Sequence, residues 1–141
     1  MKPHDPSDVV TCNWRTALDA FIAARMNEPF AWGRNDCCLF AADAVLAMTG
    51  VDHAADARGS YGDAAGAART LQRLGGIAAV GARAGAACAP AFAQPGDVGL
   101  VEHEGRATLA VCHGSHWLAP VERGIGVLPF AAATQAWRGH A

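Results

Sequence analysis

The sequence predicts an α+β protein, because apolar residues recur in threes and fours through its first half and every second residue after Pro95. Gly-centred turns at Gly96, Gly105, Gly114 and Gly124 divide that second half into short pieces of strand length. At 141 residues, 52% hydrophobic and 17% charged, the chain suits one folded domain with a real core, and disorder is excluded.

Residues 1–12 carry Pro3, Asp5, Pro6 and Asp8 and read as an arm, leaving 13–141 as the domain. Trp14, Ala17, Leu18, Phe21, Ile22 and Arg25 place one stripe on a first helix over 13–27. The second helix follows a loop containing Pro29, Trp32 and Gly33. Asn35 or Asp36 caps it, Leu39, Phe40, Ala42, Val45 and Leu46 give its apolar spacing, and Gly50 suits the left-handed position at its end. Residues 52–60 read as a solvated loop, with Arg58, Gly59 and Tyr61 as alternative members of a pocket rim.

A third helix is expected over 63–74, ended by Gly75-Gly76, and a short fourth over 77–80. The Ala- and Gly-rich stretch 81–94 reads as helix or loop. Strands are expected at 98–101, 106–113, 116–121 and 125–128, with a closing helix over 131–137. The expected arrangement is thus a set of N-terminal helices packed on an antiparallel sheet of about four strands. If Gly114-Ser115 is a two-residue turn, Ala110 faces Ala119 and Thr108 faces Val121.

A formal net charge of −2 with no basic stripe argues against nucleic acid or an anionic membrane as partner. No apolar run has the length of a membrane span, and the first residues lack the pattern of a signal peptide. Five cysteines at irregular spacing suit free thiols in a reducing compartment. No metal or other cofactor is expected: there is no Cys-x-x-Cys or His-x-x-x-His spacing, and adjacent Cys112 and His113 point to opposite faces of a strand.

The residue with chemical promise is Cys37, in the first turn of the second helix. Unpaired amides and the positive dipole end there favour a thiolate, which is the nucleophilic form. Cys38 lies about 100° further round the helix, so the two thiols are not expected to share one site, and Cys38 is read as packing. Trp32 is read as packing over the helix start.

Phe30-Ala31-Trp32-Gly33 followed by Asp36-Cys37, and later Pro95-Gly96-Asp97-Val98, resembles the NlpC-type cell-wall cysteine peptidases of the papain-like fold. It is more similar still to a small group encoded in phage tail-gene clusters and prophages, over roughly the span 14–137. The resemblance implies a papain-like fold with Cys37 as nucleophile, Asp36 and Trp32 as supports of the site, and a histidine base opening the second strand. That base position falls on Thr108, in Thr108-Leu109-Ala110-Val111-Cys112, and the position of the orienting polar group falls on or near Ala119. Threonine cannot accept a proton at neutral pH. His113 and His116 lie on the wrong face and about 15 Å along the strand. His103, in the preceding turn, is the weak substitute candidate.

Two function classes follow from the resemblance. One is a structural piece of a phage tail tip or baseplate on a degenerate scaffold, made in the host cytoplasm and carried in the virion tail beside other tip or hub proteins. The other is an active cysteine hydrolase that cleaves peptidoglycan peptides during infection. A tail partner is expected to meet exposed aromatics around Trp117 or Trp137, or the arm.

Overall fold

The computed structural model describes residues 13–140. The expectation for the arm falls outside the described residues. Four helices, α1 (Trp14–Arg25), α2 (Cys37–Thr49), α3 (Ala64–Arg73) and α4 (Ile77–Gly81), precede most of the sheet. The strands are β1 (Ala87–Cys88), β2 (Val98–His103), β3 (Arg106–Cys112), β4 (His116–Val121), β5 (Gly124–Pro129) and β6 (Ala133–Trp137).

The α2 ends are set by local chemistry. Asp36 caps the start, its side chain accepting from the Leu39 amide at 3.0 Å, and Gly50 ends the helix at φ +79°. Between those caps Phe40, Ala41, Ala44, Val45 and Met48 are buried, so α2 is the central rod of the helical layer. Phe21 of α1 meets Phe40 ring to ring at 5.1 Å.

The sheet is antiparallel, with six strands in the order β1-β6-β2-β3-β4-β5. This corrects the expected count of four and the expected closing helix: residues 130–132 make one 3₁₀ turn, and Ala133–Trp137 then pairs with β2 on one side and β1 on the other. Cross-strand bonding to partners distant in sequence overrides the weak strand propensity of an Ala-rich segment.

Side chains alternate across the sheet. Val98, Leu100, Leu109, Val111, Leu118 and Trp137 face α1, α2 and α4. Val101, Ala110, Cys112, Trp117, Ala119 and Leu128 build a second cluster on the other face. Trp117 lies flat over Gly99, where an added Cβ would sit 2.5 Å from the indole, and its ring nitrogen donates to the Phe130 carbonyl at 3.1 Å. Trp117 and Trp137 are therefore core residues, 0% and 5% exposed, which corrects their expected role as exposed docking aromatics.

The register expected around Gly114-Ser115 holds at Val111↔Leu118 and Cys112↔Trp117, but the β3–β4 ladder stops there. Counting from the His113 amide bonded to the His116 carbonyl, the next hydrogen-bonded pairs are Val111 with Leu118 and then Leu109 with Pro120. Pro120 has no N–H to offer. The strands separate beyond that point, so the expected facings of Ala110 with Ala119 and Thr108 with Val121 are not rungs of the ladder.

Candidate functional site at the start of the second helix

The loop before α2 is a tight knot. The Ala31 amide donates to the Asn35 carbonyl at 3.2 Å and the Asn35 amide returns to the Ala31 carbonyl at 2.8 Å. Gly33 turns at φ +79°, and a Cβ there would meet the Tyr61 carbonyl oxygen at 2.2 Å. Only glycine satisfies both the conformation and the approach. The Asn35 side chain donates to the Pro29 carbonyl and accepts from Arg25.

Asp36, 2% exposed, is the hub. One carboxylate oxygen accepts the Leu39 amide, and the other accepts the Gly33 amide at 3.0 Å and the Tyr61 hydroxyl at 2.5 Å. Burial, then the bonded Asp36 carboxylate, pushes the Tyr61 phenol above its ordinary range and keeps it a donor. Tyr61 thus belongs to the wall of the site. The solvated-loop reading gives way here to the pocket rim.

Behind this wall Asp43 of α2 bonds Arg25 of α1 at 2.6 Å and Arg58 of the following loop at 2.5 Å. Arg58 also holds Asp52 at 2.8 Å, and Asp52 lies below the usual carboxylate range chiefly because of that bond. The four charges fix the 52–61 loop to the helical layer. Arg58 of this set was a rim alternative in the sequence; Asp43 on a helix face carried no such signal.

Cys37 opens α2 at the junction of two spaces. One is a largely apolar, partly open cavity of about 140 Å³ between α2, the 53–57 turn, α3 and α4, with Asp36 and Arg83 in its lining. The other is an open groove of about 790 Å³ in the gap beyond the β3–β4 ladder, lined by Thr108, Ala119, Pro120 and Val121 among others. Trp32, Cys37 and Ala107 line both. Trp32, 38% exposed, stands edge-on to Phe30 at 4.8 Å between ring centres, so it forms the lip between the spaces as well as packing on the helix start.

The Cys37 thiol lies below its ordinary range. The neighbouring Cys38 thiol, a donor to the thiolate, is the main cause, helped by the Leu109 backbone; burial and the Asp36 charge oppose it. The same pairing, then burial, pushes Cys38 far up, so Cys38 stays a neutral donor. Both sulfur-bearing residues line the 140 Å³ cavity, which corrects the expectation that they do not share one site. The cavity wraps the helix end, and a 100° separation on the first turn does not divide them. The Leu109 backbone donor beside Cys37 lies where the β3–β4 ladder has already ended.

No hydrogen bond joins Cys37 to an imidazole among the described residues. Thr108 borders the groove, but Leu109 and Val111 point to the helices while Ala110 and Cys112 point away, so the strand period places Thr108 on the far face. The helix-side residue at that end of β3 is Ala107. Neither bears an ionisable group. His103 also lines the groove, yet it pairs with Arg106, three residues from Leu109 and so about 10 Å along the strand. His113 bonds Asp19 of α1 at 3.2 Å and His116 bonds Ser115. Among the described residues no three His, Cys, Asp or Glu side chains gather as a metal site.

His53 is the residue that sequence reasoning missed. It lines the cavity with both ring nitrogens buried and without a hydrogen-bond partner among the described residues. Its position in a polar turn, Asp52-His53-Ala54, gave no periodic signal to mark it as inward.

A family model described as Domain of unknown function (DUF6950) matches residues 11–139. Among solved structures, the chain is similar to the NlpC/p60 domain of the peptidoglycan hydrolase SagA, with 19% identity and a TM-score of 0.53 over 86% of this chain and 96% of that one. No curated protein matches the chain. The α+β fold is therefore of the NlpC/p60 type.

Proposed function

We propose that the chain, which belongs to the DUF6950 family, is a non-hydrolytic NlpC-type scaffold that serves as a structural piece of a phage tail tip or baseplate. The observation that carries the non-hydrolytic part is that no described imidazole bonds the Cys37 sulfur: the thiol lies below its ordinary range, the strand end beside it presents Ala107 and Thr108, and the ring nitrogens of His53 in the same cavity are buried with no partner among the described residues. A cysteine peptidase needs an imidazole within hydrogen-bond reach of sulfur to activate it and to protonate the leaving amine. The tail assignment rests on the likeness of Trp32-Gly33-Arg34-Asn35-Asp36-Cys37 to the phage-encoded group, with assembly in the host cytoplasm beside other tail tip proteins.

A second reading, an active hydrolase of peptidoglycan peptides, is favoured by the lowered Cys37 thiol and by the SagA likeness. Incubation of the protein with purified muropeptides decides between them. Under the structural reading the stem peptides stay intact, and a Cys37→Ala variant still supports infectious particles. Cleavage that disappears in Cys37→Ala overturns it.

A further inference from the structure

We propose that β5 is a docking edge for a second copy of this chain, the two β5 strands pairing antiparallel about a two-fold axis at Gly126 so that two sheets join into one. The two edges of the sheet are built differently. β1, at one edge, is two residues long, and a short edge strand is one of the devices that prevents pairing between molecules. β5, at the other edge, has six residues, Gly124 to Pro129, and none of them is charged. It lacks the usual guard against a partner strand.

The ladder fixes which backbone groups of β5 are free. The His113 amide bonds the His116 carbonyl, so Leu118 turns its N–H and C=O to β3 while Trp117 and Ala119 turn theirs to β5. Leu128 and Gly126 answer them, and the amides and carbonyls of Ile125 and Val127 point outward with no main-chain partner among the described residues. Pro129, next in the outward row, has no N–H, and Arg123 at the other end lies in a turn. A two-fold axis at Gly126 sets Ile125 of each copy opposite Val127 of the other, and all four outward amides then find carbonyls. A register shifted by two residues sets Pro129 or Arg123 against an outward pair and loses bonds. The edge thus carries its own complement, the condition of an isologous interface. Its side chains agree. Val127 is 60% exposed and shares a face with Ile125, so each copy covers the other's valine, and no like charges meet within the paired segment. The pairing is independent of what Cys37 does.

Light scattering of the full chain, with hydrogen exchange of single amides read by NMR, tests it. Between about 1 µM and about 500 µM the mass is expected to rise from one chain towards two. Over the same range the Ile125 and Val127 amides are expected to exchange about tenfold more slowly, while the Gly126 amide, already facing Ala119, changes little. Val127→Lys puts a charge on the exposed edge without touching the β4 ladder; it is expected to keep a wild-type amide spectrum and to stay monomeric at about 500 µM. A wild-type monomer at that concentration overturns the proposal. So does protection of Ile125 and Val127 that does not depend on concentration, which would point to residues 1–12 of the same chain as the occupant. A dimer in which both amides stay unprotected also overturns it, by putting the interface elsewhere.

Discussion

The Tyr61 hydroxyl reaches the Asp36 carboxylate at 2.5 Å across 25 positions of sequence, and that single bond fastens the loop after α2 to the residue that starts it. Asp36 is buried and takes three donors, so each donor offsets part of the cost of an ionised group away from water. Tyr61→Phe keeps the ring and removes one donor. The expected loss is about 2 kcal/mol in urea unfolding, at the level of a hydrogen bond to a charged group.

The Cys37–Cys38 pair gives a prediction with a sign. Cys37 is lowered mainly because Cys38 donates to its thiolate, so wild-type alkylation by iodoacetamide persists to lower pH than for an ordinary thiol. Cys38→Ala removes the donor and is expected to move the midpoint of the rate–pH curve upward. Mass spectrometry of the Cys37 peptide reads the rate; an unmoved midpoint means the helix start alone tunes the sulfur.

The strand period separates two ways of restoring a base. Ala107→His places an imidazole on the helix side, whereas Thr108→His places it on the far face. An imidazole that lowers the thiol by about one pK unit raises the thiolate fraction about tenfold. That gain in Cys37 alkylation at neutral pH is expected for Ala107→His, with little change for Thr108→His.

Asp43→Ala strips the shared partner from Arg25 and Arg58, which contact it at 2.6 and 2.5 Å. Asp43 is only 12% exposed, so water compensates poorly. A loss of about 2 kcal/mol is expected, with faster proteolysis in the 52–61 loop than elsewhere.

The sequence was readable where short-range chemistry decides. Asp36 and Gly50 mark both ends of α2, and His116 to Val121 is a strand with the bounds its turns imply. Cys37 at the helix start followed from the same caps. The sixth strand was hidden because Ala133–Trp137 becomes extended only by pairing with β2, more than thirty residues earlier. The site's wall was legible only in part for a like reason: Tyr61 stood out as a rim alternative in a polar loop, whereas the place of His53 in the cavity wall depends on contacts that no local period encodes. One signal stood in plain view and went unused: Pro120, inside an otherwise ordinary strand, marks where a ladder must stop.

That proline has a mechanical consequence. Beyond it the β4–β5 ribbon is held by the loop before α2 instead, the Phe30 amide donating to the Val121 carbonyl at 3.2 Å and the Gly124 amide to the Glu28 carbonyl at 3.1 Å. The width of the cleft beside the sulfur is then set by where that loop anchors the ribbon and not by a β3–β4 rung.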